Sequence, residues 1–183
     1  MKVLAHLSIM ALVISAAATS FADGFAVSGA KKLTVTASTL AGAKKKATTG
    51  SLSADKKSIT FSASSIRLVV ETGPKNDMMS YRIQSLRNPS LIVKAGATLH
   101  ILFVNTDDDM FHSIRFTTKV APFVAKMGTK GSVGSADLKP MSGKTFFGQE
   151  FTVKVPAKKG SYSYVCTTAG HAAAGMYGTI TVR

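Results

Sequence analysis

Short segments in which apolar and polar residues alternate fill most of the sequence after residue 55, and they constrain the fold more than any other feature. Many of their residues are β-branched or aromatic, as in strands that bury one face. Turn-forming pairs such as Asn88-Pro89 and Lys159-Gly160 separate the segments. The candidate strands cover residues 58–61, 66–70, 81–86, 90–93, 98–104, 112–117, 150–155, 161–166 and 179–182. So many short strands predict an all-β sandwich.

Residues 1–22 have the pattern of a secretory signal peptide. Lys2 precedes an apolar segment, and Ser20 and Ala22 supply the small-x-small pair that signal peptidase reads, which predicts cleavage after Ala22. The apolar segment is short for a membrane span. An uncleaved anchor is the alternative, because Lys2 is the only firm charge in the leader.

Two further regions lack the alternating pattern. Residues 23–54 are rich in Ala, Ser, Thr, Gly and Lys, and we expect a peripheral extension with a short helix near residues 38–47. Residues 122–148 contain many Gly, Ser and Lys residues and are expected to form a long loop with a helical turn or two. The sequence therefore predicts a leader, an N-terminal extension and one sandwich domain at residues 55–183.

The chain is strongly basic, with a formal net charge of +14 and only 9 acidic residues. Such a charge favours association with acidic surfaces. The lysines lie in scattered short groups without interleaved aromatic residues, and the chain carries an export signal, so we do not expect nucleic-acid binding. Because few carboxylates are available whose protonation could destabilise the fold, acid tolerance is expected.

The single cysteine, Cys166, begins the motif with the clearest chemistry. An exported chain with one cysteine cannot form an internal disulfide, so metal binding is the first alternative to test. The motif Cys-x4-His-x4-Met places Cys166, His171 and Met176 on one predicted loop between two strands. Soft sulfur donors together with imidazole suit copper. A blue copper site needs a second histidine, and His112 at the start of a predicted strand is the candidate.

Each of these residues, taken alone, has an ordinary structural explanation. A lone cysteine is usually a small buried hydrophobe and a lone methionine usually fills a core. The regular spacing and the flanking strands favour one shared site for a single copper ion. His100 alternates with apolar neighbours on a predicted strand, and we expect it to face solvent without a role.

Several motifs resemble those of the cupredoxins, and within them the rusticyanin family. The ligand motif follows a Tyr-x-Tyr-Val strand, and Gly-His-Ala-Ala-x-Gly-Met occurs at residues 170–176. Asn-Pro-x-Leu at residues 88–91, Ala-Gly-Ala-Thr at residues 95–98 and the pair His112-Ser113 are also similar. The resemblance covers residues 57–183 and implies a Greek-key β-sandwich with a type 1, or blue, copper centre.

The resemblance also implies a role for each proposed ligand. Cys166 would be the strongly bound thiolate, His112 and His171 the equatorial imidazoles, and Met176 the weak axial ligand. Ser113 is the expected partner of the thiolate. A high reduction potential follows from a buried site and a weakly donating axial thioether.

By the same resemblance, the protein would be a periplasmic carrier of single electrons that cycles between Cu(II) and Cu(I) in a respiratory, iron-oxidising chain. A c-type cytochrome would dock near His171, beside small apolar residues, and the protein would be a monomer. An enzyme is not expected, because only His100 remains in the mature chain for a catalytic copper centre. A copper carrier or storage protein with the same site is the alternative function.

Two departures from the rusticyanin pattern lie just before His112. Phe111 stands where that family has glycine, and Asp107, Asp108 and Asp109 form an acidic run where that family is neutral or basic. We expect this run to be a solvated turn. The alternative is a docking site for a basic partner or a modest downward effect on the copper potential.

Overall fold

The computed structural model describes residues 20–22 and 24–183 and contains two seven-stranded sheets. Within those residues there are one α-helix, α1 (Ala37–Lys46), and one 3₁₀ turn (Lys75–Asp77). The strands are β1 (Ser20–Ala22), β2 (Phe25–Val35), β3 (Ser51–Leu52), β4 (Ser58–Thr60), β5 (Ser65–Thr72), β6 (Tyr81–Ile83), β7 (Leu86–Arg87), β8 (Ser90–Val93), β9 (Thr98–Asn105), β10 (Arg115–Thr117), β11 (Val133–Gly134), β12 (Phe146–Lys154), β13 (Gly160–Val165) and β14 (Tyr177–Val182). The predicted all-β sandwich is confirmed.

The strand order mixes antiparallel and parallel neighbours. The first sheet has the order β1-β2-β12-β9-β5-β6-β7, and the second has the order β11-β10-β13-β14-β8-β4-β3. Three pairs are parallel, namely β5 with β9, β4 with β8 and β8 with β14. The order therefore depends on connections that cross between the sheets, and not on hairpins alone.

The hydrophobic core lies between the two sheets. Apolar side chains on alternate strand positions fill it, among them Phe25, Phe103 and Tyr164, each fully buried. A second, smaller cluster on the outer face of the first sheet joins Leu40 of α1 to Leu102 and neighbouring valines. Because α1 covers that face, β9 is apolar on both sides and its sequence reads as a nearly continuous hydrophobic run.

Residues 25–35 were expected in a peripheral extension, and for these residues the expectation is wrong. β2 pairs with β12 from Phe146↔Val35 to Lys154↔Ala26, and Phe25 packs in the core between the sheets. The alternation was difficult to detect because exposed polar residues and a glycine occupy the middle of the strand. The predicted helix is confirmed as α1, whose first turn is capped by the Thr36 hydroxyl accepting from the Thr39 N–H.

Most of the predicted signal peptide, residues 1–19, lies outside the described residues, as does residue 23. Ser20–Ala22 form β1, which pairs with β2 at the edge of the first sheet. Cleavage after Ala22 therefore stays a prediction. Among the described residues, none of the helices has the length and apolar character needed to cross a bilayer.

Two of the predicted strands are not continuous strands in the structure. Residues 81–86 form the hairpin β6–β7, whose turn residues Gln84 and Ser85 both have positive φ angles of 48° and 66°. In the segment 112–117 only β10 is a regular strand. His112 forms an isolated bridge with Leu138, which is part of the predicted loop at residues 122–148.

Candidate metal centre

Four side chains converge where β13 ends and β14 begins, and together they form the donor cluster: His112, Cys166, His171 and Met176. Cys166 directly follows β13, and Met176 directly precedes β14. Backbone hydrogen bonds join the two ends of this loop, with the Cys166 N–H donating to the Met176 carbonyl at 3.1 Å. The Met176 N–H in turn donates to the His171 carbonyl at 2.9 Å. Three donors are thus held by one closed loop.

Glycine is required at both bends of this ligand loop. Gly170 and Gly175 have φ angles of 85° and 102°, which other residues adopt only with strain. Neighbouring segments fix the bends in place. The Gly170 N–H donates to the Ala125 carbonyl at 2.7 Å, and the Asn88 side-chain amide donates to the Gly175 carbonyl at 2.9 Å.

The fourth donor comes from the segment between β9 and β10. The His112 and Leu138 backbones exchange hydrogen bonds of 3.1 and 2.8 Å. The side-chain amide of Asn105, at the end of β9, donates to the carbonyls of Met110, Leu138 and Lys139. Because Asn105 is fully buried, this bonding ties the whole segment to the sandwich.

The donor atoms lie close enough to share one ion. His112 Nδ1 is 3.2 Å from Met176 Sδ and 3.2 Å from His171 Nδ1. Cys166 Sγ is 3.5 Å from His171 Nδ1. Nitrogen and thiolate donors bind a transition metal at roughly 2.0–2.3 Å, so donors to one ion lie about 3–4 Å apart. His112, Cys166 and Met176 are fully buried, and His171 is 5% exposed.

The chemistry of these atoms also fits a cation. His112 Nε2 lies 2.9 Å from the Asp107 carboxylate, so this nitrogen carries the ring proton and Nδ1 presents a lone pair to the cluster. Met176 sulfur carries no hydrogen, and His171 Nδ1 faces both His112 and Cys166. Lone pairs that face one another are unfavourable without a shared positive charge. Two imidazoles, a thiolate and a thioether are the donor types that suit copper.

The sulfur of Cys166 is favoured as a thiolate. Burial raises the pKa of the thiol, but contacts with the His112 ring and with the Ser113 backbone N–H more than offset it, and the pKa lies below its usual value. The Ser113 N–H donates to Sγ at 3.5 Å, whereas the Ser113 hydroxyl is 3.9 Å from Sγ and 3.0 Å from the Thr167 hydroxyl. Ser113 is thus the expected neighbour of the sulfur, but mainly through its backbone.

The acidic run contains two different environments. Asp108 and Asp109 are exposed, as expected of a solvated turn, but Asp107 is only 4% exposed and contacts His112. For Asp107 the expectation of a solvated turn is therefore wrong. The available signal was an aspartate five positions before a candidate ligand, and spacing alone does not reveal which way the carboxylate points.

Exposed apolar residues lie on the ligand loop and on the segments that contact it. Phe111 is 52% exposed, and its carbonyl accepts from the Thr168 hydroxyl of the ligand loop. Val124, 67% exposed, adjoins the residue that binds Gly170, and Ala173 of the loop is also exposed. His100 is exposed on β9 and lies outside the donor cluster, as expected.

Comparisons with known proteins agree with this geometry. Residues 41–183 match the family described as copper binding proteins, plastocyanin/azurin family. Rusticyanin of Acidithiobacillus ferrooxidans is 35% identical over 137 residues, which are 74% of this chain and 86% of that protein. Rusticyanin of Acidithiobacillus ferridurans is 33% identical over 137 residues, which are 74% of this chain and 71% of that protein.

Solved structures of rusticyanins are also similar to this chain. A structure of reduced rusticyanin superimposes with a TM-score of 0.74 at 27% identity, covering 84% of this chain and all of that chain (100%). A rusticyanin structure from Thiobacillus ferrooxidans gives a TM-score of 0.72 at 28% identity, covering 84% of this chain and 97% of that chain. The family match at residues 41–183 includes the segments that carry the donor cluster.

Proposed function

Since this chain belongs to the plastocyanin/azurin family of copper-binding proteins, we propose that it is a periplasmic blue copper protein that carries single electrons in a respiratory chain. Iron oxidation is the proposed setting, as the similarity to rusticyanins suggests. The single observation that carries the proposal is the buried donor cluster, with three donors on one loop and the fourth held by a backbone bridge.

In this proposal the four residues of the donor cluster are the ligands of one copper ion. The ion supplies one-electron chemistry between Cu(II) and Cu(I). Cys166 would provide the thiolate, His112 and His171 the imidazole nitrogens, and Met176 the weakly donating thioether. Because backbone hydrogen bonds fix the ligand loop and burial excludes water, the donors keep their positions in both redox states. Little reorganisation is then needed for electron exchange.

Electrons enter and leave at His171, because the other three residues of the donor cluster are fully buried. The apolar surface formed by Phe111, Val124 and Ala173 suits brief contact with a redox partner. The proposed partner is a c-type cytochrome, and the net charge of +14 favours one with an acidic docking face. The protein acts as a monomer in this proposal and does not bind nucleic acid.

Neither an enzyme nor a copper carrier fits the site as well. A catalytic copper centre needs further imidazoles, and the remaining histidine of the sandwich, His100, contacts Ser65 and Thr152 instead of the donor cluster. A carrier must release its copper readily. Four buried donors in a closed loop favour slow exchange, so electron transfer is the better proposal.

An optical titration tests the copper site. Purified protein with Cu(II) is expected to show an intense thiolate-to-copper band in the visible red. Cys166→Ala should lack the band, while His100→Ala should retain it. No band in the wild-type protein, or a band that survives Cys166→Ala, overturns the proposal.

Voltammetry and copper exchange separate an electron carrier from a copper carrier. An electron carrier gives a reversible one-electron wave and loses copper slowly to an excess of chelator. Fast, complete transfer of copper to the chelator, with no reversible wave, would support the carrier or storage alternative.

The proposed location has its own test. We propose that residues 1–22 are removed on export and that the sandwich, with β2 as one of its strands, reaches the periplasm. Intact mass of the protein from a periplasmic extract should correspond to a chain that begins at Asp23. Recovery of the full-length chain from membranes would contradict cleavage and favour an anchor.

A further inference from the structure

Asp107 is unusual among the acidic residues because its carboxylate is enclosed next to a proposed ligand. Its side chain is 0% exposed, and Oδ2 lies 2.9 Å from His112 Nε2. The other oxygen, Oδ1, accepts from the backbone N–H groups of Asp109 at 3.0 Å and Met110 at 3.3 Å. Both oxygens accept hydrogen bonds, so only a carboxylate satisfies every donor that surrounds it.

These contacts determine how His112 presents its ring. The carboxylate accepts the Nε2 proton, which leaves Nδ1 unprotonated and directed at Met176 and His171. A carboxylate behind a ligand histidine fixes ring orientation and makes the metal-binding nitrogen more basic. Through His112, Asp107 therefore acts on the donor cluster without touching it.

The charge of Asp107 has little compensation nearby. Among the described residues, the side-chain partner of Asp107 is the neutral ring of His112, whereas Asp108 pairs with Lys75 at 3.1 Å. A negative charge in a buried place acts more strongly on a nearby ion than one in water.

We propose that Asp107 positions His112 for copper binding and that its carboxylate charge lowers the reduction potential of the centre. This inference rests on the proposed function, namely that the donor cluster binds copper. The charge favours the more positive, oxidised ion, so a neutral residue at this position raises the potential. The effect opposes the increase that burial and the weak axial ligand produce.

The neighbouring Asp108 provides a matched control. Asp108→Asn removes the same formal charge from the same turn, but its side chain is 47% exposed and contacts Lys75, not a ligand. Water screens such a charge. A general loss of negative charge would change the copper affinity and the reduction potential equally in Asp107→Asn and Asp108→Asn. Loss of the contact with His112 would change them only in the variant at position 107.

The first measurement is the affinity for Cu(II), with the optical spectrum of the loaded protein. Asp107→Ala removes the acceptor of the His112 proton and should weaken binding by roughly 10–100-fold. Asp107→Asn keeps one acceptor oxygen and should lose less affinity for Cu(II), while Asp108→Asn should bind Cu(II) as tightly as the wild-type protein. Wild-type affinity and spectrum in Asp107→Ala would refute the positioning role. If Asp107→Ala does not fold, Asp107→Asn decides, and a result equal to Asp108→Asn refutes it.

The second measurement is the reduction potential of each variant at saturating copper. Asp107→Asn should have a higher potential than both the wild-type protein and Asp108→Asn. An equal or lower potential would overturn the charge effect. The wild-type spectrum separates this failure from that of the proposed function. If the wild-type protein lacks the thiolate-to-copper band, the proposed copper site is wrong. If the wild-type band is normal and the potential of Asp107→Asn is unchanged, only the proposed charge effect of Asp107 is wrong.

Discussion

Met176 differs from the other residues of the donor cluster in what its side chain contributes. A thioether is a weak, soft donor, and the axial ligand tunes the potential of a blue copper centre. Met176 is also fully buried in the core, so its shape is part of the packing. The two contributions can be separated by a change that keeps volume and removes the sulfur.

We predict that Met176→Leu keeps copper and the thiolate band but has a higher reduction potential, because leucine cannot donate to the oxidised ion. The swap nearly conserves volume and should cost less than about 1.5 kcal/mol of unfolding free energy. Met79→Leu, in a methionine that packs against the same core outside the donor cluster, is the control and should leave the potential unchanged. A lower potential in Met176→Leu would contradict the axial role.

At the scale of residues, sequence spacing brought Cys166, His171 and Met176 together because one short loop holds them. His112 was chosen from few histidines, and its proximity in space depends on the bridge to Leu138, a contact that no spacing shows. The prediction that Asp107 faces solvent was wrong because the direction of its side chain is determined by backbone hydrogen bonds within its own turn. Short-range patterns thus reveal residue types, while orientation depends on contacts between distant segments.

At the scale of elements, β2 tests how much of the N-terminal segment the sandwich needs. Phe25 is fully buried against the rings of Phe116 and Tyr162, with centroids 5.7 and 5.3 Å away. Phe25→Ala should lower the unfolding free energy by about 3–5 kcal/mol. Lys31→Ala, on an exposed part of the same strand, should change it by less than about 0.5 kcal/mol. Denaturant unfolding of the copper-free protein measures both, and a loss below about 1 kcal/mol for Phe25→Ala would mean that β2 is peripheral.

The pairing of β13 with β14 gives a second test at this scale. A Cβ atom on Gly178 would lie 2.2 Å from the Tyr164 ring, and the Tyr164 hydroxyl is held by the Pro89 carbonyl at 2.6 Å. Gly178→Ala should therefore cost about 1–3 kcal/mol through overpacking. Gly42→Ala in α1 meets nothing within 4 Å and should stabilise by about 0.5–1 kcal/mol. A lower melting temperature for Gly178→Ala and a higher one for Gly42→Ala would support the packing explanation. An unchanged melting temperature for Gly178→Ala would contradict it.

The elements that sequence analysis found have either uninterrupted alternation, as in β8 and β14, or a continuous apolar run, as in β9. It missed β2 because Gly29 and two lysines interrupt the pattern, and it joined β6 and β7 because Gln84 and Ser85 are not typical of a left-handed turn. In both cases pairing with other strands outweighs local preference. The parallel pairs could not be inferred from local patterns at all.

For the whole molecule, the scarcity of carboxylates connects composition to behaviour in acid. Burial raises the pKa of Asp77, but hydrogen bonds from Arg87 and Ser80 more than compensate, and the pKa lies below its ordinary value of 3.8. A depressed pKa in the folded state stabilises the protein above the ordinary pKa, and that contribution is lost as pH falls through the folded value. Few residues contribute in this way, so the loss of stability in acid should be small.

We predict that Asp77→Asn costs about 1 kcal/mol of unfolding free energy at neutral pH, because Arg82 and Arg87 lose their partner. The difference from the wild-type protein should shrink below pH 3.8 as the wild-type carboxyl takes up its proton. Unfolding of copper-free protein across acidic pH measures this. Glu150→Gln, at an exposed position of β12, is the control. A pH-independent difference for Asp77→Asn would contradict the ion-pair explanation.

The position of β2 also affects how the chain is made. Its partner strand β12 follows more than 100 residues later, so a growing chain exposes β2 with one edge unpaired until residues 146–154 have been synthesised. Unpaired strand edges invite association between copies, and lysines on a strand oppose it. Lys31 and Lys32 lie in the middle of β2, opposite Glu150 and Gln149 in the finished sheet. The lysines that concealed this strand in the sequence therefore place positive charge on a strand whose partner β12 is made last, which opposes association between copies before the sheet is complete.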